Sequence, residues 1–222
     1  MQQNKAIIIV AGGTGTRMGY DIPKQFIKLK GIPILVRTIQ TFFSFDPNAK
    51  IIVVMHEESI STWKQLAEEF NAPKHQIVPG GKERFFSVKN GLSCIDEHIT
   101  QIAIHDAVRP LVSERTLANC FTALENFEAV VPVIPINDSM RLVNEDLNES
   151  VDRTKFKRVQ TPQCFHAHVL KNAYSVEFNS LFTDDASVVE ANGHSVHLVE
   201  GNLENIKITS PIDLFVGEAL IK

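Results

Sequence analysis

Short, wholly apolar runs alternate along this chain with longer stretches in which apolar residues recur every three or four positions. Residues 6–11 (AIIIVA) form an unbroken, largely β-branched run, the pattern of a strand buried on both faces. Residues 50–55 (KIIVVM), 101–104 (QIAI) and 129–134 (AVVPVI) repeat it. Pro132 lacks a ladder donor and makes the last of these doubtful as a regular central strand. Across 33–45, Ile34, Leu35, Thr38, Ile39 and Phe42 share helical spacing, with Pro33 suited to a first turn. Residues 57–70 carry Ile60, Trp63, Leu66, Ala67 and Phe70 along one face. Residues 83–92 and 113–121 read similarly, the second with Ser113 as its N-cap. The pattern resumes with helices at 167–176 and 184–192, a strand at 195–199 and a last helix from Pro211. Strands alternating with helices predict an α/β fold: a Rossmann-like, mostly parallel twisted sheet flanked by helices.

Residues 135–160 break the alternation. They are polar, with Asn137, Asp138, Asn144, Asp146 and Asn148 around a short apolar piece at 140–143. The stretch is expected to leave the sheet as a protruding β-arm. No internal repeat interrupts the chain, so one domain over 1–222 with an arm at about 135–160 is the simplest organisation.

Composition narrows the partners. A chain of 222 residues, 44% hydrophobic, can bury a core without a disulfide or metal staple. Its 22 basic and 26 acidic residues leave a net charge of −4, so neither nucleic acid nor a membrane surface is an expected partner. A locally basic pocket for a small phosphate remains compatible with that balance. Cys94, Cys120 and Cys164 form no CxxC pair, which argues against structural zinc and suits free thiols in a reducing cytosol. The start of the chain lacks a signal-peptide shape, and no run approaches the roughly 18 apolar residues of a membrane span. A cytoplasmic protein is expected. Cys164, His166 and His168 alternate as strand neighbours can, but no fourth ligand accompanies them and ordinary placement is the better reading.

The first strand runs directly into AGGTGTRMG at 11–19. A glycine-rich turn there lets backbone N–H groups approach a phosphate or a base edge, and Arg17 and Lys24 add cationic donors. The dinucleotide fingerprint requires a glycine where Met18 stands, and no acidic residue follows at ribose distance, so a nicotinamide dehydrogenase is disfavoured. The Gly-Lys-Ser/Thr of ATPase phosphate loops is also absent.

AGGTGTRMG followed by IPKQF resembles the signature of sugar and alditol nucleotidyltransferases. GGKERFFSVKNGL at 80–92, HDAVRP at 105–110, VDR at 151–153 and EGNLENIKIT at 200–209 are similar in order and spacing to the 2-C-methyl-D-erythritol 4-phosphate cytidylyltransferases of the non-mevalonate isoprenoid pathway. The resemblance implies transfer of CMP from CTP to an alditol phosphate, with diphosphate released and Mg²⁺ as the divalent cofactor. It assigns Arg17, Lys24, Arg153 and Lys207 to catalysis. Ala11, Gly12, Gly13, Gly15, Gly80, Gly81, Ser87 and Asp106 would bind CTP, with Asp106 also placing the metal. Arg109, Ser139, Arg153 and Thr183 would meet the second substrate, with Asp138 nearby. The arm would reach a neighbouring subunit, making a homodimer with shared sites.

Chemistry fits that assignment. An alkyl phosphate has its second pKa near about 6, so the nucleophile is ionised without a base and His105 is given a structural role. Catalysis then rests on in-line placement and on cations that offset two polyanions. Lys82 stands where close relatives are expected to carry an acidic or small residue, and Ser139 where threonine is common. A ribitol 5-phosphate cytidylyltransferase shares the glycine loop and PKQF, but VDR and Ala107 in HDAVRP lean to the erythritol enzyme. A catalytically silent nucleotide-binding module would not need to retain Arg17, Lys24, Asp106, Arg153 and Lys207 together.

Overall fold

The computed structural model describes residues 4–13, 22–145 and 147–221. Its centre is one sheet whose first four strands in space are parallel: β5 (Gln76–Pro79), β4 (Lys50–Met55), β1 (Lys5–Val10) and β6 (Gln101–Asp106). Strand β11 (Gln163–His166) follows antiparallel to β6 and to β7 (Ala129–Pro135), and β12 (His197–Glu200) closes the far side parallel to β7. The architecture is mixed but mostly parallel α/β, as the alternating pattern predicts.

Alternation within β1 divides the core. Ile8 faces one layer with Ile52 and Val54, backed by α3 (Arg84–Leu92), α5 (Ala167–Ala173) and α6 (Asp185–Ala191). Ile7 and Ile9 face the other with Ile51 and Val53, backed by α1 (Ile34–Phe45), α2 (Ile60–Glu69) and α4 (Glu114–Ala123). A strand covered by helices on both faces must be apolar at every position, which is why 6–11 reads as a continuous run. Each completely buried Ile or Val adds roughly 1.5–3 kcal/mol over exposure. Ser113 caps α4 by accepting from the Thr116 N–H at 3.1 Å. The last helix, α7 (Pro211–Leu220), packs Leu214 onto a small cluster around Leu29, Val108 and Ile208, beside the short antiparallel pair β2 (Lys28–Leu29) and β3 (Ile32–Pro33).

Several boundaries differ from the pattern. Strand β6 runs past 104 to Asp106, so the carboxylate belongs to the strand end itself. Pro132 lies inside a regular strand with neighbours on both flanks. Its missing N–H faces the flank where the partner chain is interrupted between β10 (Lys157–Val159) and β11, and its carbonyl still accepts from Gln160 N–H at 2.9 Å. The one donor proline lacks thus falls at the break between β10 and β11, not within a continuous run of pairs. Strands β5 and β11 have four residues each, too few to show a period of two.

The excursion is shorter than the polar stretch 135–160 implies, because Pro135 and 157–159 pair within the central sheet; between them lies a hairpin, β8 (Met140–Asn144) paired antiparallel with β9 (Leu147–Val151), in a sheet of its own. Leu142, Val143 and Leu147 are exposed on it.

Candidate functional site

The carboxyl ends of β1, β4 and β6 converge on a cavity of about 410 Å³, in the size range of small-molecule sites. Ala11, Gly12, Gly13, Lys24, Gly80, Gly81, Ser87, Asp106 and Lys207 all line it. Nine of the residues the sequence singles out, drawn from four distant segments, are thus brought together. Gly15 and Arg17 lie outside the described residues.

The floor is backbone held by side chains. Gln25, buried in the turn at Lys24–Phe26, donates its Nε2 to the Ala11 carbonyl at 2.7 Å. His56, just past β4, donates Nε2 to the Gly12 carbonyl at 2.6 Å. Lys24 lies across Gly13: a β-carbon there would sit 2.5 Å from Lys24 Cε. At Gly81 a β-carbon would sit 2.3 Å from the Phe86 β-carbon, so only glycine lets α3 start so close to the turn. The Gly81 N–H donates to Ser87 Oγ at 3.1 Å, and Ser87 Oγ in turn donates to the Glu83 carbonyl at 3.2 Å. Lys82 is exposed at the rim.

Asp106 is the electrostatic centre. Its Oδ2 accepts from Lys207 Nζ at 3.0 Å and from Arg109 Nε at 3.2 Å. Burial pushes its carboxyl up, but Lys207, Arg84 and Arg109 outweigh burial and hold it well below the usual carboxylate range. The group is ionised throughout the neutral range. His105, one residue earlier, is wholly buried between Arg109 O at 3.0 Å and Thr161 Oγ1 at 3.1 Å. Burial lowers its pKa to about 4, so the imidazole is neutral near pH 7, with its Nε2–H given to the Arg109 carbonyl.

Lys207 sits in an irregular segment, 201–209, and reaches Asp106 because asparagines fasten that segment. Asn202 Nδ2 donates to the Leu111 carbonyl at 3.0 Å, and Asn205 Nδ2 donates to the Thr161 carbonyl at 2.8 Å. The Ile208 N–H then donates to the Val108 carbonyl at 2.9 Å. The Asn residues of EGNLENIKIT thus build the site without entering it.

The residues expected to hold a second substrate are placed differently. Arg109 is turned inward to Asp106 and to the Asn205 carbonyl, the latter at 2.8 Å, and does not line the cavity. Ser139 and Arg153 are exposed at the base of the arm, where Arg153 donates to the Asn137 carbonyl. Thr183 is exposed in the loop before α6. None of these three lines the cavity of the same chain.

Sequence reading missed Gln25, His56 and Arg84 as cavity residues. His56 follows a strand at its carboxyl end, the same signal that marks Asp106. Cys164 is buried in β11, His166 Nε2 donates to the Leu124 carbonyl at 2.8 Å, and His168 lies 3.9 Å from Glu128. Among the described residues, no group of three or more His, Cys, Asp or Glu is arranged to hold a metal ion, and no helix is long and apolar enough to cross a membrane.

Known proteins share this whole frame. Residues 5–222 match the family described as IspD, 2-C-methyl-D-erythritol 4-phosphate cytidylyltransferase. Relatives bearing that enzyme name include one from Phocaeicola vulgatus, 48% identical over 98% of this chain and 100% of its own. Another, from Bacteroides fragilis, is 49% identical over 98% of this chain and 99% of its own. Among solved structures, the 4-diphosphocytidyl-2C-methyl-D-erythritol synthase of Anaerococcus prevotii superposes with a TM-score of 0.83 at 26% identity, covering 98% of this chain and 97% of its own. The cytidylyltransferase of Thermus thermophilus gives 0.79 at 30% identity over 98% of both chains. With sequence and backbone agreeing from one end of the described chain to the other, the protein belongs to the 2-C-methyl-D-erythritol 4-phosphate cytidylyltransferase family.

Proposed function

We infer that the protein transfers CMP from CTP to 2-C-methyl-D-erythritol 4-phosphate, releasing diphosphate, as a step in isoprenoid precursor biosynthesis. Full-length relatives at 48% and 49% identity carry that activity in their names. The observation in the molecule that carries the reading is the cluster of Lys207 on Asp106 at the head of a glycine-lined cavity.

In this reading the backbone at Ala11, Gly12, Gly13, Gly80 and Gly81, with Ser87, receives cytosine and ribose, selecting a pyrimidine by shape and edge hydrogen bonds. Lys24, with Arg17, holds the triphosphate and offsets charge growing on the α-phosphate. Lys207 reaches the same α-phosphate from the other side, where it offsets the charge that grows during attack. The buried, neutral His105 fixes Arg109 and Thr161 rather than acting as a base. The donor set fits Mg²⁺: one ionised carboxylate, Asp106, suits a cation that keeps most of its shell as water and phosphate oxygen. When bound, Mg²⁺ neutralises triphosphate charge.

The acceptor site is completed by Ser139 and Arg153 delivered by the arm of a second copy, with Thr183 contributed from the loop before α6 and Arg109 acting through Asp106, which it holds from behind. Exposed Leu142, Val143 and Leu147 support a homodimer through that arm, since an isolated two-stranded hairpin is marginal in water. Diphosphate release measured with each nucleoside triphosphate and each alditol phosphate tests the reading. CTP with 2-C-methyl-D-erythritol 4-phosphate should dominate; a dominant CDP-ribitol product overturns the acceptor, and release with no acceptor preference overturns both.

A further inference from the structure

Arg84 opens α3 directly after the 80–83 turn and lines the cavity. Its terminal nitrogens meet both oxygens of Asp185, at 2.8 Å to Oδ1 and 2.6 Å to Oδ2. Asp185 is wholly buried at the first residue of α6, and Tyr174 OH donates to its Oδ1 at 2.6 Å. The Tyr174 ring stacks on Phe85, the neighbour of Arg84, with centroids 4.8 Å apart. The start of α6 is itself fixed to β11: Gln163 donates to Asp184 Oδ2 at 2.7 Å and accepts from the Ala186 N–H at 2.9 Å. The guanidinium is therefore clamped from behind by a carboxylate that cannot move.

A buried ion pair is a poor source of stability, because desolvation consumes most of the attraction and apolar residues of similar volume serve as well. Geometry is what such a pair supplies. The fork engages one N–H on each terminal nitrogen of a group with five, so three donors remain. The pair also joins the turn that would hold the nucleotide to the loop whose last residues are Thr183 and Asp184.

We propose that Asp185 is a positioning residue acting through Arg84, and that the clamped guanidinium sets the phosphorylated acceptor against the bound nucleotide. The proposal rests on the reading of the cavity as a cytidylyltransferase site with Thr183 on the acceptor side. The Asp185 charge orients Arg84, and Arg84 adds a cation to the acceptor side opposite Lys24.

Steady-state kinetics of the full-length enzyme test it. Asp185→Asn and Arg84→Gln should each raise the KM for 2-C-methyl-D-erythritol 4-phosphate about tenfold or more, while the KM for CTP stays within about twofold. The double variant should be no worse than the worse single one, since both changes remove one device. Equal rises in both KM values, additive losses, or an unchanged acceptor KM overturn the proposal. Should Asp185→Asn fail to fold, Arg84→Lys keeps the charge but cannot bridge two oxygens, and the same criteria apply to it. Thr183→Ala checks the underlying reading separately: a silent Thr183→Ala beside an impaired Asp185→Asn removes Thr183 from the acceptor site and leaves the clamp standing.

Discussion

The cavity and the arm are opposite solutions to placing functional residues. At the cavity, Asp106 is anchored by a strand in mid-sheet, Lys207 by three asparagine-mediated or backbone ties, and Gly12 by His56. At the arm, Ser139 and Arg153 flank the base of an exposed hairpin whose strands pair only with each other among the described strands. The cavity residues are tied from several elements of one chain, whereas Leu142, Val143 and Leu147 on the hairpin face solvent. In the proposed dimer the nucleotide site is finished within one chain and the second substrate is left to the assembly.

The largest effect that would break this contrast lies in the cavity. Lys207→Ala should cut turnover on the order of 100- to 1000-fold, because a lost donor at developing phosphate charge is worth roughly 3–4 kcal/mol of transition-state stabilisation. Its thermal midpoint should fall only modestly, since the ammonium is half-exposed and Arg109 still pairs with Asp106. Comparable losses of turnover and of melting temperature would make Lys207 a structural residue.

The arm is sharpened by complementation. Lys24→Ala and Arg153→Ala proteins should each be nearly inactive, yet their mixture should recover about a quarter of wild-type activity, because half of randomly exchanged dimers hold one intact site. Absence of recovery with subunit exchange verified by mass would place each site within one chain.

A smaller effect separates the two regions by pH. His105 titrates near 6.5 unfolded and about 4 folded, so its contribution to stability is complete above 6.5 and is lost as pH falls toward 4, roughly 3 kcal/mol in all. Asp106, held below its ordinary value of 3.8, loses its contribution only at lower pH still. Denaturant titrations from pH 7 to 4 should show this slope, and His105→Asn should flatten it. A hairpin change such as Leu147→Ser should leave the same curve in place.

Legibility in the sequence follows the same divide. Strands β1 and β4 announce themselves because burial on both faces leaves no polar position. Strand β11, with Gln163 and His166 among its four residues, does not, although it fills the gap between β6 and β7. The polarity of 135–160 marks the arm, but nothing in it states what the arm touches. Glycine turns and Asp106 are visible in the sequence because ligands gather at strand ends. Arg84 is not, because an arginine at the start of a helix reads as a solvated cation until Asp185, 101 positions away, is seen behind it.

The composition of the cavity wall bears on how quickly CTP arrives. Lys24, Lys82, Arg84 and Lys207 face Glu83 and Asp106 there, so a protein of net charge −4 carries a local positive excess at one opening. Low-dielectric walls focus such a field, and a polyanion is drawn along it before any hydrogen bond forms. Capture of the nucleotide should therefore slow as ionic strength rises, on the scale of a Debye length of about 10 Å at 0.1 M salt. Escape, governed by short-range ties to glycine backbone, should hardly notice it. The overall negative charge then sharpens the contrast between this opening and the protein as a whole, so that an anion gains most by approaching there.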